Sequence, residues 1–445
     1  MIRSKAPETR LFYASEELYV PPATGYYARL NAVVGSWAQL AEPLRAGFSS
    51  EHDGRPVDHV VYLKAFVVGY LENIIWDTAL AERIADSLSI RMFLGYGPTE
   101  RTPDHSSISR ARNRFSEEQL QAVLSKVVDL CFKQGLLGGG PVAADSTLNC
   151  ANASLSSLKN VQTGLSVTEH LKQAREANEP AEVNNKAYVS GTDADARIAK
   201  KGSARRGMYY KTTHVTDFQD QIILAVHTGT ADTHDPTAAI EPLERAKERL
   251  ESQGKRLGVV VADAGYDDST FHAAVEGMGG TPLTNYTDKP SNKSEEVQKD
   301  RFVFVAERDV YICPNGAELA RSSTYRQKTD CGFSSKVVRY LSRLEDCAGC
   351  PLKASCLSGK SKQRSINRRE HEDARLRNMA RCHTDDGRAA LKKRKEISEP
   401  PFAHMKRHGG LAVVNCRTLG RVQVKTIVGA IVWNLQKLAK VTQVA

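Results

Sequence analysis

The sequence predicts a mixed α/β fold behind an all-helical N-terminal domain, on three observations. Apolar runs at 142–144 and 257–262 end in Asp145 and Asp263, and such runs read as buried strands that deliver a carboxylate to a sheet edge. Apolar residues at helical spacing fill 60–135 instead. A third acidic residue, Glu399, lies in the charged, helix-prone stretch KKRKEISEPPFAHMK. Carboxylates drawn from two strands and a helix would offer hard oxygen ligands to a pair of Mg²⁺ or Mn²⁺ ions, the arrangement that in-line phosphoryl transfer on DNA uses.

The N-terminal domain, residues 1–135, rests on the patterns HVVYLKAFVVGYLENIIW, TALAERIADSLSIRMFLGY and SSISRARNRFSEEQLQAVLSKVVDLCF. In the last, Asp104 and the serines after it supply helix-start chemistry ahead of Arg110, Arg112 and Arg114. Those arginines could contact DNA, and a solvated helix face reads the same way.

From residue 139 the pattern changes to short strands. One is expected at 142–144, an antiparallel pair at 208–216 and 221–228 joined at 217–220, then a helix at 237–252 and strands at 258–262 and 281–284. That order, with carboxylates on the first and fourth strands, matches a ribonuclease-H-like core whose first part is 139–285. Residues 155–206, rich in Asn, Lys, Ser and Ala, read as a polar excursion, mobile without DNA. Asp193 and Asp195 within it are not expected to be ligands. Asp267 and Asp268 read as helix caps, His234 and Asp235 could assist near the metals or cap a helix, and Asn152 and Ser154 could touch DNA or hold a turn.

Residues 286–385 interrupt the α/β rhythm as an inserted subdomain, with strands expected at 301–305 and 336–341 and a helix in INRREHEDARLRNMARC. Of nine cysteines, Cys131, Cys150, Cys382 and Cys416 are scattered, whereas Cys313 lies in YICPNG and Cys347, Cys350 and Cys356 in CAGCPLKASC. Four thiolates so spaced could close a structural Zn²⁺ site. Cys331 could replace Cys313, and a cysteine-rich loop that binds nothing also fits. A disulfide framework is not expected in a reducing compartment. Residues 386–445 would complete the core with a helix from about 388 through Glu399 to Lys406 and an apolar helix at 424–441 that packs on the sheet.

Composition bounds these readings. A chain of 445 residues, 41% hydrophobic, can bury a substantial core. No apolar run reaches the roughly 18 to 20 residues of a membrane span, and the first thirty residues, with Glu8, Glu16 and Glu17, lack a signal-peptide core. No membrane association and a cytoplasmic location are therefore expected. Net charge is +10, and residues 351–410 hold 16 Lys and Arg against 7 Asp and Glu, so one segment carries nearly all the excess. A basic block beside a catalytic carboxylate suits a polyanion; a solvated charged helix face is the other reading.

The segments DSTLNCANASL, GTDADARIAKKGSARRGMYYKTTHV, TGTADTHD, ADAGYDD and RKEISEPPFAHMKRHGGL follow the order typical of DDE transposases of bacterial insertion sequences, which the chain resembles from about residue 54 to 438. The region from GRPVDHVVYLKAFVVGYL to TPDHSSISRARNRF resembles their InsH-type N-terminal domain. The resemblance implies that Asp145, Asp263 and Glu399 form a triad for two divalent ions and that Lys406 contacts DNA phosphate. The family's arginine position falls on Lys395 at strict spacing, or on Arg394 with a gap one residue longer, which implies DNA contact there; the family's tyrosine is absent, with Lys392 or Leu391 in its place. Also implied are terminal inverted repeats and target DNA as partners, cleavage followed by strand transfer, a homodimer on paired ends, and association with the nucleoid. A nuclease of the same fold without strand transfer and a non-catalytic DNA-binding regulator are the alternatives.

Overall fold

The computed structural model describes residues 25–48, 58–200, 205–286, 297–328, 334–357 and 360–441; Cys331 lies outside them. Among the described residues seven α-helices come first: α1 (Tyr26–Val34), α2 (Trp37–Ala41), α3 (His59–Leu71), α4 (Asp77–Asp86), α5 (Leu88–Leu94), α6 (His105–Arg114) and α7 (Glu117–Lys133). Their starts follow capping chemistry: Asp58, Ser87, Asp104 and Ser116 each accept a backbone N–H of the following helix, and Ser116 with Gln119 forms a full capping box. Helix α3 is apolar nearly all round and is buried from Val61 to Tyr70 except at Lys64, as a central helix must be.

The chain then enters a six-stranded sheet. Strand β1 (Val142–Cys150) is followed by β2 (Leu158–Asn160), α8 (Val167–Glu176), β3 (Tyr188–Ser190), β4 (Arg197–Ala199), β5 (Gly207–Asp217), β6 (Ile223–Thr230), α9 (Asp235–Glu251), β7 (Val259–Ala262), α10 (Ser269–Gly277) and β8 (Thr281–Thr284). The sheet order is β4-β5-β1-β7-β8, with β6 also paired to β5. β5 pairs antiparallel with both β1 and β6, whereas β1, β7 and β8 run parallel. β1 extends well past the expected 142–144, because its polar half, Asp145 to Cys150, pairs residue by residue with Tyr209 to His214 of β5.

Residues 155–200 differ from the expected mobile excursion. They hold a β2–β3 ladder and α8, which starts on a Ser166–Glu169 capping box. Buried Asp193 accepts from the Tyr210 hydroxyl at 2.7 Å and from the Thr418 amide at 3.2 Å, and Asp195 accepts from the Leu419 amide at 2.8 Å. Both carboxylates thus meet the start of the last helix, where backbone N–H groups lack helical partners.

A second, antiparallel sheet follows, in order β13-β12-β11-β10-β9, from β9 (Val303–Val305), β10 (Val310–Ile312), β11 (Glu318–Lys328), β12 (Ser334–Ser342) and β13 (Ser365–Arg369); the short helices α11 (Leu344–Ala348) and α12 (Lys353–Cys356) lie between β12 and β13. Three helices finish the chain: α13 (Glu372–Cys382), α14 (Asp385–His408) and α15 (Leu419–Val441). α14 starts before the expected 388, because Thr384 caps it by accepting from the Gly387 amide at 3.0 Å.

Helix α15 lies between α7 and β6. Three buried carboxamides seal the exposed backbone of β6. Asn434 both accepts from and donates to Ile223 at 2.9 Å, Gln423 accepts from the Thr228 amide, and Gln121 donates to the Val226 carbonyl at 3.0 Å. An unpaired strand edge is thereby satisfied without another strand. Among the described residues no helix is long and apolar enough to cross a membrane.

Candidate active site

β1 and β7 bring two of the expected carboxylates together. Val142 pairs with Val260 and Ala143 with Val261 in parallel register, so Asp145 and Asp263 each follow their paired residues by two positions at the same end of the two strands. Asp145 Oδ1 accepts from the Ser146 amide at 2.8 Å. Asp263 directly follows β7 and caps the next turn, its Oδ1 accepting from the Gly265 amide at 2.8 Å. A Cβ at Gly265 would stand 3.0 Å from that oxygen, so the absence of a side chain there lets the turn close over the carboxylate.

Beneath the carboxylates the two segments are tied. The Ser146 hydroxyl lies 2.7 Å from the Tyr266 hydroxyl and 2.7 Å from the Thr213 hydroxyl, and Tyr266 is fully buried. Asp145 pairs across the ladder with His214 of β5. That ring is buried, which pushes its pKa down to about 4 and keeps it neutral, against the opposing pull of Asp145.

Helix α14 carries the third carboxylate and docks over the same strands. Arg394, Ile397, Ser398, Pro401, Phe402 and Met405 form its buried stripe, at the spacing of one helix face. Phe402 lies against His214 with ring centroids 3.6 Å apart, and Ile397 packs with Ala143 and Val261. Arg394 Nη1 donates to Asp145 Oδ2 at 2.8 Å, and the Ser398 hydroxyl donates to the same oxygen at 2.9 Å. Glu399, next in the chain, is exposed, as are Lys392 and Lys395. One turn from the helix end, Lys406 Nζ donates to the Thr147 hydroxyl at 2.6 Å, on the face of β1 that carries Asp145.

Pro400 and Pro401 lie inside α14, and a proline cannot donate to the carbonyl four residues back. The Glu396 carbonyl freed by Pro400 accepts from Gln221 Nε2 at 3.0 Å. Gln221, expected to begin a strand, instead sits in the β5–β6 turn with a left-handed φ of 60°, where its carbonyl also accepts from Trp433 Nε1 at 2.6 Å. One turn residue thus anchors both C-terminal helices.

Several expected site residues stand elsewhere. Arg112 is spent within the helical region, at 2.6 Å from Asp77 and over the Phe66 ring, and Arg114 lies over Phe48. Arg110 is exposed, donating to the Ser107 hydroxyl at 3.1 Å. Asp235 meets Lys211 at 2.5 Å; Asp268 caps α10 as expected, whereas Asp267 pairs with Arg375 at 3.1 Å. Sequence reasoning missed Ser398, His214 and Tyr266. The first was detectable as the residue one helical turn beyond Arg394 and just before Glu399.

The donor set suits a hard divalent cation: carboxylate oxygens on neighbouring strands and an exposed carboxylate on the helix above them. Among the described residues, the one group whose potential ligand atoms lie within 4.8 Å of one another is a different one, Glu117, His227 and Glu241. There the Arg245 guanidinium already reaches Glu117 at 3.1 Å and Glu241 at 2.7 Å. Both carboxylates of that group thus already hold a cation, and His227 lies 3.0 Å from the other Glu241 oxygen, so the group reads as an ion-pair network.

Comparison with known families decides the broader identity. Residues 16–114 match the family described as Transposase domain (DUF772), and residues 312–439 match the Transposase DDE domain. The chain belongs to the DDE transposases. The two matches together take in about half of the transposase, and the second contains Glu399 and Lys406, while Asp145 and Asp263 lie between them. No curated protein matches the chain. Among solved structures the transposase is similar to a piggyBac transposase synaptic complex with hairpin DNA, determined by cryo-EM, at 10% identity and a TM-score of 0.32, over 94% of this chain and 79% of that one.

Proposed function

We propose that this transposase cuts DNA at the terminal inverted repeats of an insertion sequence and joins the freed ends to target DNA, at a site built from Asp145, Asp263 and Glu399. The observation that supports the reading is the parallel register of β1 and β7, Val142 with Val260 and Ala143 with Val261, two residues before Asp145 and Asp263. A ribonuclease-H-like core agrees with the order β6-β5-β1-β7-β8, antiparallel through its first three strands and parallel through its last three. The core would comprise residues 139–285 and 386–445, with 286–385 inserted and 1–135 as the helical DNA-binding domain.

Asp145, Asp263 and Glu399 would hold two Mg²⁺ or Mn²⁺ ions. Bound there, such ions lower the pKa of an attacking water and offset the charge that builds on a departing 3′ oxygen. The chain's own residues do the rest. Ser146, Tyr266 and Thr213 fix the two strand carboxylates relative to each other. The exposed Lys395 and Arg110, together with Lys406 beside Thr147, offer positive charge to phosphates. Arg112 and Arg394 would contact DNA only by giving up Asp77 and Asp145. Double-stranded DNA is the proposed partner, with a homodimer on paired ends, in the cytoplasm at the nucleoid.

Strand transfer separates this reading from a nuclease. Pre-cut repeat ends with free 3′ hydroxyls should be joined to a supercoiled plasmid in Mg²⁺ by wild type and not by Asp263→Ala, which should still bind the ends. Cutting without any joined product would assign nuclease activity alone, and binding without either would assign a regulator.

A further inference from the structure

The inserted subdomain has a small core. Phe302, Tyr311, Leu319, Tyr340 and Ile366 are its buried hydrophobic cluster, and all of β11 except Leu319 is exposed. So small a cluster rarely holds a unit of this kind without a staple. One end of the same sheet gathers cysteines. Ile312 pairs with Glu318, and Leu319 pairs with Ser342, so the Cys313–Ala317 turn and the end of β12 lie at the same edge. Cys313 and Cys356 both pack against the buried cluster.

Cys313 is presented by a tight turn, and Cys347 and Cys356 lie on the short helices α11 and α12. The Cys313 amide donates to the Ala317 carbonyl at 2.9 Å, the Gly316 amide returns to the Cys313 carbonyl at 2.8 Å, and the Ala317 amide points at Cys313 Sγ at 3.3 Å. The 347–350 turn closes through the Cys350 amide to the Cys347 carbonyl at 3.5 Å, and Cys356 ends the short helix that follows. Cys347 Sγ lies 3.1 Å from the Ser342 hydroxyl; that hydroxyl accepts from the Arg364 amide at 3.0 Å, and Arg364 Nη1 donates to the Cys356 carbonyl at 2.8 Å. Burial first of all raises the Cys356 thiol pKa, opposed by Arg364 and reinforced by the nearby Cys347, Cys350 and Cys313. All four are free thiols and half-buried.

We propose that Cys313, Cys347, Cys350 and Cys356 bind one structural Zn²⁺ that closes this end of the five-stranded sheet. Four cysteine sulfurs are the donor type and number of a closed tetrahedral zinc site, and they do not suit Mg²⁺. Binding converts each thiol to a thiolate and releases its proton to solvent, so occupancy falls with acid. Among the described residues no three of these sulfurs stand within 4.8 Å of one another; a bound ion would have to draw them together, and Arg364, whose charge acts on Cys356, would offset part of the negative charge of the tetrathiolate. The site lies apart from the carboxylates and does not rest on the proposed reaction.

The test is metal analysis of the full chain purified without chelator. About one zinc per chain is expected, lost in Cys350→Ser and Cys356→Ser and kept in Cys331→Ser and His227→Ala. Because a ligand variant could unfold, wild type reconstituted with Co²⁺ alone gives a second readout: intense visible bands of tetrahedral thiolate-bound cobalt. Iron in place of zinc, no metal in the wild type, zinc retained by the Cys350 variant, or zinc lost from the Cys331 or His227 variant would each overturn the assignment.

Discussion

Arg394 and Asp145, 249 residues apart in sequence, form a buried ion pair at 2.8 Å on the carboxylate oxygen that also accepts from Ser398. The pair fastens α14 to β1, and the guanidinium supplies Asp145 with a positive charge before any metal arrives. Breaking a buried pair from one side leaves an uncompensated charge, at a cost of about 3 kcal/mol. Arg394→Met should lower the unfolding free energy from urea denaturation by about that much, and Ser398→Ala by about 1 kcal/mol. Because Mg²⁺ then meets a carboxylate with no competing cation, its addition should raise the Tm of Arg394→Met by more than that of wild type. Asp145→Asn should show the smallest rise of the three.

The Tyr266 hydroxyl reaches Ser146 from the segment that carries Asp263. Tyr266→Phe keeps the buried ring and removes one hydrogen bond, so a loss of about 1 kcal/mol is expected in denaturant unfolding. Cleavage should fall as well, because the bond fixes the spacing of two carboxylates. Unchanged cleavage with reduced stability would make Tyr266 a purely structural residue.

Burial holds two histidines neutral, His214 at about 4 and His272 at about 3. Their unfolded-state value is about 6.5, so the unfolded chain takes up protons first as pH falls. The stability each confers is complete above about pH 6.5 and is lost progressively as pH drops toward the folded values. Thermal midpoints should therefore decline between pH 6.5 and 4, and His214→Gln should show a shallower decline than wild type.

The elements that carry the three carboxylates were legible in sequence, because short apolar runs before Asp145 and Asp263 read as buried strands and Glu399 lies in a helix-prone stretch. The closure of the site was not. Arg394 looked like a DNA contact because a basic run gives no sign of which charge faces inward; the stripe Arg394, Ser398, Phe402 decides that, and only against the position of β1. Residues 155–200 looked like a loop because their order comes from partners far away in sequence, Tyr210 and the start of α15. Gln221 was unreadable for a similar reason, since the carbonyl it satisfies is exposed by a proline nearly two hundred residues downstream.

Cleavage of inverted-repeat DNA in Mg²⁺ by the single variants Asp145→Asn, Asp263→Asn and Glu399→Gln, with end binding measured alongside, tests the account most directly. If all three carboxylates serve the metals, each variant loses several kcal/mol of transition-state stabilisation, a fall on the order of a thousandfold, with binding little changed. Wild-type cleavage by any one of them would remove that residue from the site and contradict the triad.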